Sequence, residues 1–427
     1  MSTGVEVEQA RWARGPLRPL RHAQYRWLTG ATVFELAGDG VWLIAIVWQV
    51  IALGGGPAQL SFAVTGFAVG MVATALVGGV VADRVPQRRI LLTVTAVRLV
   101  AVTLVAALAL AGALALWHLA LASVVIGMAI GFYSPAYSAM LPSIVDEADL
   151  LAANGVEGFL RPTLQHAGGP ALGSLVVAAA SPGWAFALVA GLQVLCLLML
   201  LGLRPVALRR DASSLQGSPV RGALADLGGG VAYMVRTPWF LATLLFASVM
   251  LLVVTGPMEV LVPFVVKEGG NGPTEHAWIL AAYGVGGAVG SLGISAVRLP
   301  RRYLTTMNAM WGVACLPLLV VGLTTSVPAI ALAMFVVGVL MSAPMVIWGT
   351  LLQRRVPPEM LGRASSLDFF VSLLLMPVSM ALAGPAGELV GVRTVFVVAA
   401  LVPLVVAVVA VVAARMPQDE MAHPLDR

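Results

Sequence analysis

Long apolar runs constrain this chain more than any other feature of its sequence. A run of roughly 20 predominantly apolar residues is long enough to cross the hydrocarbon core of a bilayer as a helix. Hydrophobic residues make up 59% of the 427 residues and charged residues 11%, against roughly 25% charged in a soluble domain. We therefore predict an all-α integral membrane protein with twelve transmembrane helices. The runs cover residues 28–50, 59–82, 90–113, 117–141, 153–179, 183–203, 239–266, 277–297, 303–323, 327–350, 364–386 and 393–414. A β-barrel would instead show alternating segments of about 10 residues.

The arginines predict the orientation of the chain. Basic residues that flank short loops gather on the cytoplasmic side of a membrane protein. If the odd-numbered helices run outward, nearly all arginines between the runs fall on the inside, and the outside receives only Lys267 and Arg393. We therefore expect both termini in the cytoplasm. The net charge of +5 reflects this bias, so we do not interpret it as nucleic-acid binding.

The two halves of the chain resemble each other. Residues 82–86 (ADRVP) align with residues 296–300 (AVRLP), and the Gly169-Pro170 step aligns with Gly384-Pro385 at nearly the same offset. We predict an N-terminal six-helix bundle (residues 1–203), a cytoplasmic linker with a short interfacial segment (204–238) and a C-terminal six-helix bundle (239–427). The two bundles should be pseudo-symmetric, as in transporters built from parallel repeats.

A loop motif names the superfamily that the chain resembles. Residues 79–84 (GVVADR) and Arg88 resemble the signature G-x-L-A-D-R-x-G-R-K between helices 2 and 3 of the major facilitator superfamily, although Pro86 and Gln87 depart from it. The resemblance implies the major facilitator fold and a cytoplasmic loop that helps to lock one conformation. The predicted latch comprises Gly79, Asp83, Arg84, Arg88 and Asp368, the last from the start of helix 11. The alternative is that these charges only set the topology.

Further motifs narrow the resemblance to efflux transporters. FYSPAYSAMLPSIV (132–145), GGPALG (168–173) and RRVPPEMLGRASSL (354–367) look like segments of the siderophore and macrolide exporters and of the drug:proton antiporters. Gly169, Pro170 and Gly173 are similar to the helix-5 antiporter motif, although Ser174 stands where glycine is common. Drug:proton antiporters commonly carry an arginine within helix 4. This helix 4 has none, which leaves proton coupling by that route in doubt.

Acidic residues inside the apolar runs are the candidates for coupling. Glu35 and Asp39 lie four residues apart, hence on one face of helix 1, and Asp39 is roughly 18 Å into its run at 1.5 Å per residue. A charge at that depth is costly and asks for a function. Asp39 is the first candidate for a proton-coupling or substrate residue, with Glu35 and Glu259 after it. The alternative for each is a packing role.

Other intramembrane charges are candidate partners of these acids. Arg98 in helix 3 is placed to neutralise Glu35, Asp39 or the loop aspartate, and the sequence does not choose among them. Glu157 and Arg161 are spaced i, i+4, which favours an intrahelical ion pair. Asp368 occupies the position in helix 11 that corresponds to Glu157 in helix 5.

Proline and glycine interruptions at corresponding positions of the two halves point to a transport path. Pro135 in helix 4 and Pro344 in helix 10 form such a pair. Aromatic and methionine side chains suit bulky hydrophobic ligands of varied shape, although packing is the alternative for each one. The predicted cavity candidates are Trp42, Tyr133, Tyr137, Met341, Met345 and Trp348.

These features favour a secondary transporter over other classes. No G-x-x-x-x-G-K-[ST] motif is present for an ATP-driven pump, and the five histidines lack ligand spacing, so we predict no enzyme, cofactor or metal site. We predict a monomeric exporter of a hydrophobic small molecule (an antibiotic, a dye or a siderophore-like metabolite) in a bacterial-type inner membrane, surrounded by lipid and exchanging substrate for protons. Uptake or a narrow metabolite carrier is the main alternative, and a non-transporting receptor a remote one.

Overall fold

The computed structural model describes residues 18–82, 85–146, 149–205, 232–295, 299–357, 368 and 374–425. These residues are almost entirely helical and contain no strand. Backbone N–H and C=O groups find no partner in lipid, so a chain with such long apolar runs satisfies them within helices.

The helices of the first half follow a short 3-10 turn at Arg18–Arg21. They are α1 (Ala23–Ala52), α2 (Pro57–Ala82), α3 (Gln87–Leu110), α4 (Leu116–Ile144), α5 (150–179) and α6 (Pro182–Leu201). Helix α5 is not regular. It consists of the α-helix Leu150–Thr163, a π-helical turn Leu164–Gly168 and the α-helix Gly169–Ala179.

The second half continues in the same manner. Its helices are α7 (Pro238–Glu268), α8 (Pro273–Ser295), α9 (Tyr303–Leu323), α10 (Val327–Arg355), α11 (Met376–Val390), α12 (Val392–Ala413) and the short α13 (Met416–Ala422). Helix α7 contains a π-helical turn at Pro257–Leu261, and α9 is divided after Ala314. Within the described part of the chain, every predicted apolar run coincides with one of these helices, and the all-α membrane fold is confirmed.

Ten of the described helices are long and apolar enough to cross a membrane. The ten leave out α5, which its π-helical turn divides, α11, which is described over 15 residues, and the seven-residue α13. Free Cys196 and Cys315 are both buried inside helices.

One prediction about the helices was wrong. Pro135 and Pro344 do not interrupt α4 and α10, which run as single helices through both prolines. The irregular turns lie instead in α5 and α7, each beside a Gly-Pro step: Gly169-Pro170 and Gly256-Pro257. An intramembrane proline need not break a helix, because neighbouring groups and small local adjustments satisfy the freed carbonyl.

The described residues group into two compact units. Unit 1 draws on Met1–Trp48 and Val69–Asp211, and unit 2 on Gln49–Ala68 and Ala212–Arg427. The first turns of α2 thus belong to unit 2, where Ser61 Oγ accepts a hydrogen bond from the Gly384 N–H at 2.8 Å. The bundle boundaries predicted from the repeat stay a prediction.

Candidate functional site

Asp39 lies near the middle of α1. Helix α1 has 30 residues, or about 45 Å at 1.5 Å per residue, and Asp39 is about 24 Å from its start. Gly38 and Gly40 flank it. Glycines on both sides leave room for neighbouring helices to approach the backbone closely at this turn.

Arg98 joins both acids of α1 in one cluster. Its Nη1 donates to Glu35 Oε1, and its Nη2 donates to Asp39 Oδ1 at 2.5 Å. The side chains of Arg98, Glu35 and Asp39 are only 2%, 6% and 12% exposed. The sequence left the partner of Arg98 open; the structure places it against both acids, 63 and 59 residues away in the chain.

Polar groups from other helices surround this cluster. Cys196 Sγ on α6 lies 3.5 Å from Glu35 Oε2, and Tyr133 on α4 is within electrostatic range of Arg98. Arg161 on α5 is within electrostatic range of Asp39. The cluster is therefore built from α1, α3, α4, α5 and α6 of unit 1.

The cluster carries more negative than positive groups. One guanidinium faces two carboxylates, which leaves one negative charge in excess when both acids are ionised. An unneutralised charge at the centre of a membrane helix costs roughly 2.5–3.5 kcal/mol on insertion scales. A bound proton or a cationic ligand removes that cost. The site is thus chemically suited to exchange one positive charge.

Helix α5 packs its irregular turn directly on the Asp39 turn of α1. A Cβ placed on Gly40 would lie 2.7 Å from Leu164 O and 2.6 Å from Pro170 Cδ. A Cβ placed on Gly169 would lie 2.7 Å from both Ala37 O and Gly40 Cα. Only glycines permit this backbone-to-backbone contact. The predicted motif residues Gly169, Pro170 and Gly173 on α5 therefore pack against the turn of α1 that carries Asp39.

The charged pair on α5 is present. Arg161 Nη2 donates to Glu157 Oε1 at 2.7 Å, as the i, i+4 spacing predicts. Glu157 is also within electrostatic range of Tyr137 on α4 and Tyr25 on α1. These groups place a second polar patch beside the first turns of α5.

The predicted latch residues are only partly described. Asp83 and Arg84 lie outside the described residues, and Gly79 is in the last turns of α2. Arg88 Nη2 donates to the Leu201 carbonyl at the end of α6, at 3.0 Å. Asp368 Oδ2 accepts a hydrogen bond from Trp348 Nε1 at 3.0 Å. The latch function stays a prediction.

Glu259 occupies the π-helical turn of α7 in unit 2. Its side chain is exposed, and it is within electrostatic range of Tyr283 on α8. The described residues give it no basic partner, which distinguishes it from Glu35 and Asp39. π-helical turns are frequent at functional sites.

The cavity candidates fall into different surroundings. Tyr133 and Tyr137 are buried and stack with ring centroids 6.4 Å apart. Trp42 packs on Phe186 at 5.2 Å, and Trp348 stacks on Phe240 at 5.7 Å. The Met341 carbonyl accepts a hydrogen bond from Trp311 Nε1 at 3.1 Å, whereas Met345 is 60% exposed. Their part in binding stays a prediction.

Sequence reasoning missed an ion-pair network before α1. Buried Asp149, which precedes α5, forms ion pairs with Arg18 at 2.6 Å and Arg21 at 3.0 Å and a hydrogen bond with His22 at 2.9 Å. Arg21 also pairs with Asp146 at 2.8 Å. The His22 hydrogen bond and the charges of Arg18 and Arg21 hold the pKa of Asp149 below its usual range. Although His22, Asp146 and Asp149 lie close enough to share a cation, the two arginines already neutralise the carboxylates.

A second network that sequence reasoning missed joins the start of α9 to the end of α10 and to α13 in unit 2. Arg355 pairs with Asp419 and donates to the Tyr303 hydroxyl at 3.2 Å. Glu420 accepts from the Leu304 N–H at 3.0 Å and from Thr305 Oγ1 at 2.5 Å. Both networks join residues more than 50 positions apart, so no local pattern indicates them.

Comparison with known proteins assigns the family. The transmembrane secretion effector family matches residues 14–426. The chain belongs to the transmembrane secretion effector family, a branch of the major facilitator superfamily. It is 26% identical over 400 residues to the multidrug efflux pump Tap of Mycolicibacterium fortuitum, covering 90% of this chain and 94% of that protein. It is 28% identical over 401 residues to the pump of the same name from Mycobacterium tuberculosis (strain ATCC 25618 / H37Rv), covering 91% and 92%.

Solved structures agree on the fold. The crystal structure of the nucleoside transporter NupG superposes with a TM-score of 0.72 at 13% sequence identity, covering 92% of this chain and 99% of that one. At that identity the likeness speaks for the fold alone. The family match, in turn, makes this chain a multi-pass membrane transporter and not an enzyme, as the sequence predicted.

Proposed function

We propose that this protein exports a hydrophobic small molecule by alternating access, in exchange for protons. The efflux pumps named Tap, which align with nine-tenths of this chain, support the direction of transport. An antibiotic, a dye or a siderophore-like metabolite is the proposed class of substrate. We further propose a lipid-embedded monomer of the bacterial inner membrane with both termini in the cytoplasm, organised as bundles 1–203 and 239–427 around linker 204–238.

The excess negative charge around Arg98 is the observation that carries the proton coupling. With Asp39 protonated, the cluster reduces to a neutral pair between Arg98 and Glu35. With Asp39 ionised, the cluster bears a net negative charge inside the membrane, which costs roughly 2.5–3.5 kcal/mol. Alternating exposure of Asp39 to the two sides then lets it take up a proton outside and release it inside. The two charge states favour different surroundings, and this difference couples the proton to the conformation.

Arg98 supplies the basic group that the resemblance to drug:proton antiporters implies for helix 4. It comes from α3 instead and pairs with Asp39 on α1. Its side chain is 2% exposed, so water does not replace the carboxylates as its partners. We propose that Arg98 holds Glu35 throughout the cycle and releases Asp39 when that acid is protonated.

The remaining candidates receive subordinate roles in the proposal. Glu259, which has no basic partner among the described residues, is a second site for a proton or a cationic group. Gly79, Asp83, Arg84, Arg88 and Asp368 are proposed as the cytoplasmic latch. Helix α5 packs on the Asp39 turn through Gly169 and Gly173. Through this contact it transmits the conformational response to the changed charge of Asp39 to the rest of unit 1.

Accumulation of a fluorescent lipophilic cation in efflux-deficient bacteria tests the proposal. Cells expressing the wild type should accumulate less dye than empty cells, and a protonophore should abolish the difference. Asp39→Asn should behave like empty cells at equal expression. Asp146→Asn is the matched control, because it makes the same change at an acid that is 64% exposed, and it should transport normally.

Three results would contradict the proposal, each in a different part. Export by Asp39→Asn at the wild-type rate would remove Asp39 from the coupling. Export that persists in the presence of the protonophore would remove the proton. If dye accumulates faster in cells with the wild type than in empty cells, the direction is inward and the uptake alternative holds.

A further inference from the structure

A buried glutamine beside the Asp39 turn has no hydrogen-bond partner among the residues that the structure describes. Gln193 on α6 is 0% exposed, and neither Oε1 nor Nε2 of its amide finds a partner among the described residues. Leaving a buried donor or acceptor unsatisfied is costly for the folded state. Buried polar groups without partners are rare in proteins and call for an explanation.

Contacts between α1 and α6 place this amide at the level of Asp39. The two helices run antiparallel: Gly30 packs against Met199, Glu35 against Cys196, and Trp42 against Phe186. In the same register, a Cβ on Gly38 would lie 3.5 Å from Gln193 Nε2. Gln193 is one helical turn from Cys196, as Asp39 is one turn from Glu35. The amide therefore lies next to the residue that precedes Asp39.

Asp39 has an oxygen available for a second partner. Among the described residues, Arg98 is hydrogen-bonded to Oδ1 of Asp39, and Oδ2 accepts no hydrogen bond. Both Glu35 oxygens, in contrast, have partners: Oε1 accepts from Arg98 and Oε2 from Cys196. The two acids are thus unequal, and only Asp39 is placed to exchange partners.

We propose that Gln193 is the partner of Asp39 when Asp39 is protonated. A neutral carboxylic acid has one donor and one acceptor, and a primary amide offers the complementary pair. The Asp39 hydroxyl then donates to Gln193 Oε1, while Gln193 Nε2 donates to the carbonyl oxygen of Asp39. A carboxylate can use only the donor of the amide, whereas the guanidinium of Arg98, which has donors alone, favours the carboxylate. Asp39 therefore moves between Arg98 and Gln193 as it loses and gains its proton.

This role rests on the proposed proton coupling and adds a positioning residue to it. The charged or titratable groups around Asp39 come from five helices. Glu35 on α1, Arg98 on α3, Arg161 on α5 and Cys196 on α6 are near Asp39 itself, whereas Tyr133 on α4 is near Arg98 and His166 on α5 is near Arg161. Gln193 differs from all of these because its amide carries no charge in either state, so it favours the neutral acid by hydrogen bonding alone.

Infrared difference spectroscopy of the purified protein during a pH titration tests the inference without any substrate. The carboxylic acid C=O band that disappears in Asp39→Asn is assigned to Asp39. In Gln193→Met, which keeps the length of the side chain but removes the amide, that band should move to higher frequency because it loses its hydrogen bonds. Its titration midpoint should fall by about one pH unit, a roughly tenfold loss of proton affinity.

Leu192→Met is the matched control, because Leu192 Cβ would lie 3.8 Å from a Cβ placed on Gly38 and its side chain carries no polar group. This variant should leave the band and its midpoint unchanged. If Gln193→Met does not accumulate in the membrane, Gln193→Asn gives the same comparison, since its amide is one methylene farther from Asp39. An Asp39 band with wild-type frequency and midpoint in the Gln193 variant overturns this inference and leaves the proton coupling standing. If Asp39→Asn removes no titrating band, the proposed coupling fails and this inference fails with it.

Discussion

Removal of the Arg98 guanidinium tests the charge cluster most directly. Arg98→Met leaves Glu35 and Asp39 without their shared basic partner at a depth where water reaches neither freely. Breaking a buried ion pair by deleting one partner typically costs about 3–5 kcal/mol. A released carboxylate avoids part of this cost by taking up a proton, which sets an upper limit on the loss.

The upper limit on this loss of unfolding free energy follows from the ordinary pKa of glutamate. Protonating a group with a reference pKa of about 4.3 at pH 7 costs about 3.7 kcal/mol. We therefore expect Arg98→Met to lose about 3 kcal/mol of unfolding free energy at pH 7, between the lower end of the ion-pair cost and this limit. Because the folded variant binds a proton that the unfolded chain does not, the loss should shrink by about 1.4 kcal/mol for each pH unit toward pH 5.

Thermal unfolding of the detergent-solubilised protein measures this loss. Cys196 and Cys315 are buried, so a thiol-reactive dye reports unfolding, and the Cys196→Ala background avoids the thiol beside Glu35. The unfolding temperature should fall by roughly 3–5 °C at pH 7, and less at pH 5. Arg88→Met is the matched control: it makes the same change on α3 at an arginine that binds only the Leu201 carbonyl in the described structure. An equal and pH-independent loss in both variants would refute the charge argument.

Two further predictions concern packing and acid stability. Gly169→Ala should cost about 1–3 kcal/mol in unfolding free energy, because its Cβ would lie 2.7 Å from the α1 backbone and force α5 away. Gly158→Ala on the same helix is the control, since its Cβ would have no atom within 4 Å. It should cost nothing in the same thermal assay. The pKa of Asp149 is lowered by its bonds to His22 and the arginines, so its contribution is present above the ordinary aspartate pKa and is lost as pH falls through the lowered value. The unfolding-temperature difference between wild type and Asp149→Asn should therefore be constant from pH 8 to about 5 and shrink below about pH 4; a difference that grows in acid would contradict this sign.

The sequence predicted the helices because helix formation in a bilayer is a local matter. Each apolar run must satisfy its own backbone groups within the hydrocarbon core, so run length and composition decide where a helix lies. The irregular turns at Leu164–Gly168 and Pro257–Leu261 were not predicted. A Gly-Pro step permits such a turn, but contact with a neighbouring helix selects it, as the approach of Gly40 to Leu164 shows.

The sequence also identified the residues of the candidate site without identifying their partners. Asp39, Glu35 and Arg98 stood out because ionisable groups are rare and costly inside apolar runs. Gln193 did not stand out, because a single glutamine in an apolar helix has no pattern that separates a site residue from a lipid-interface residue. Its burial against α1 appears only when the two helices are packed.

The sequence by itself determined the class of this protein: its helical membrane fold, its superfamily and the acids available for coupling. The tertiary structure alone decided three contacts. Arg98 holds both acids of α1, an amide with no partner among the described residues lies at the level of Asp39, and Asp149 pairs with the basic residues before α1. The physical reason is range. Hydrophobicity and backbone hydrogen bonding act within one helix, whereas a buried charge finds its partner across helices that are distant in the chain and meet only in the folded protein.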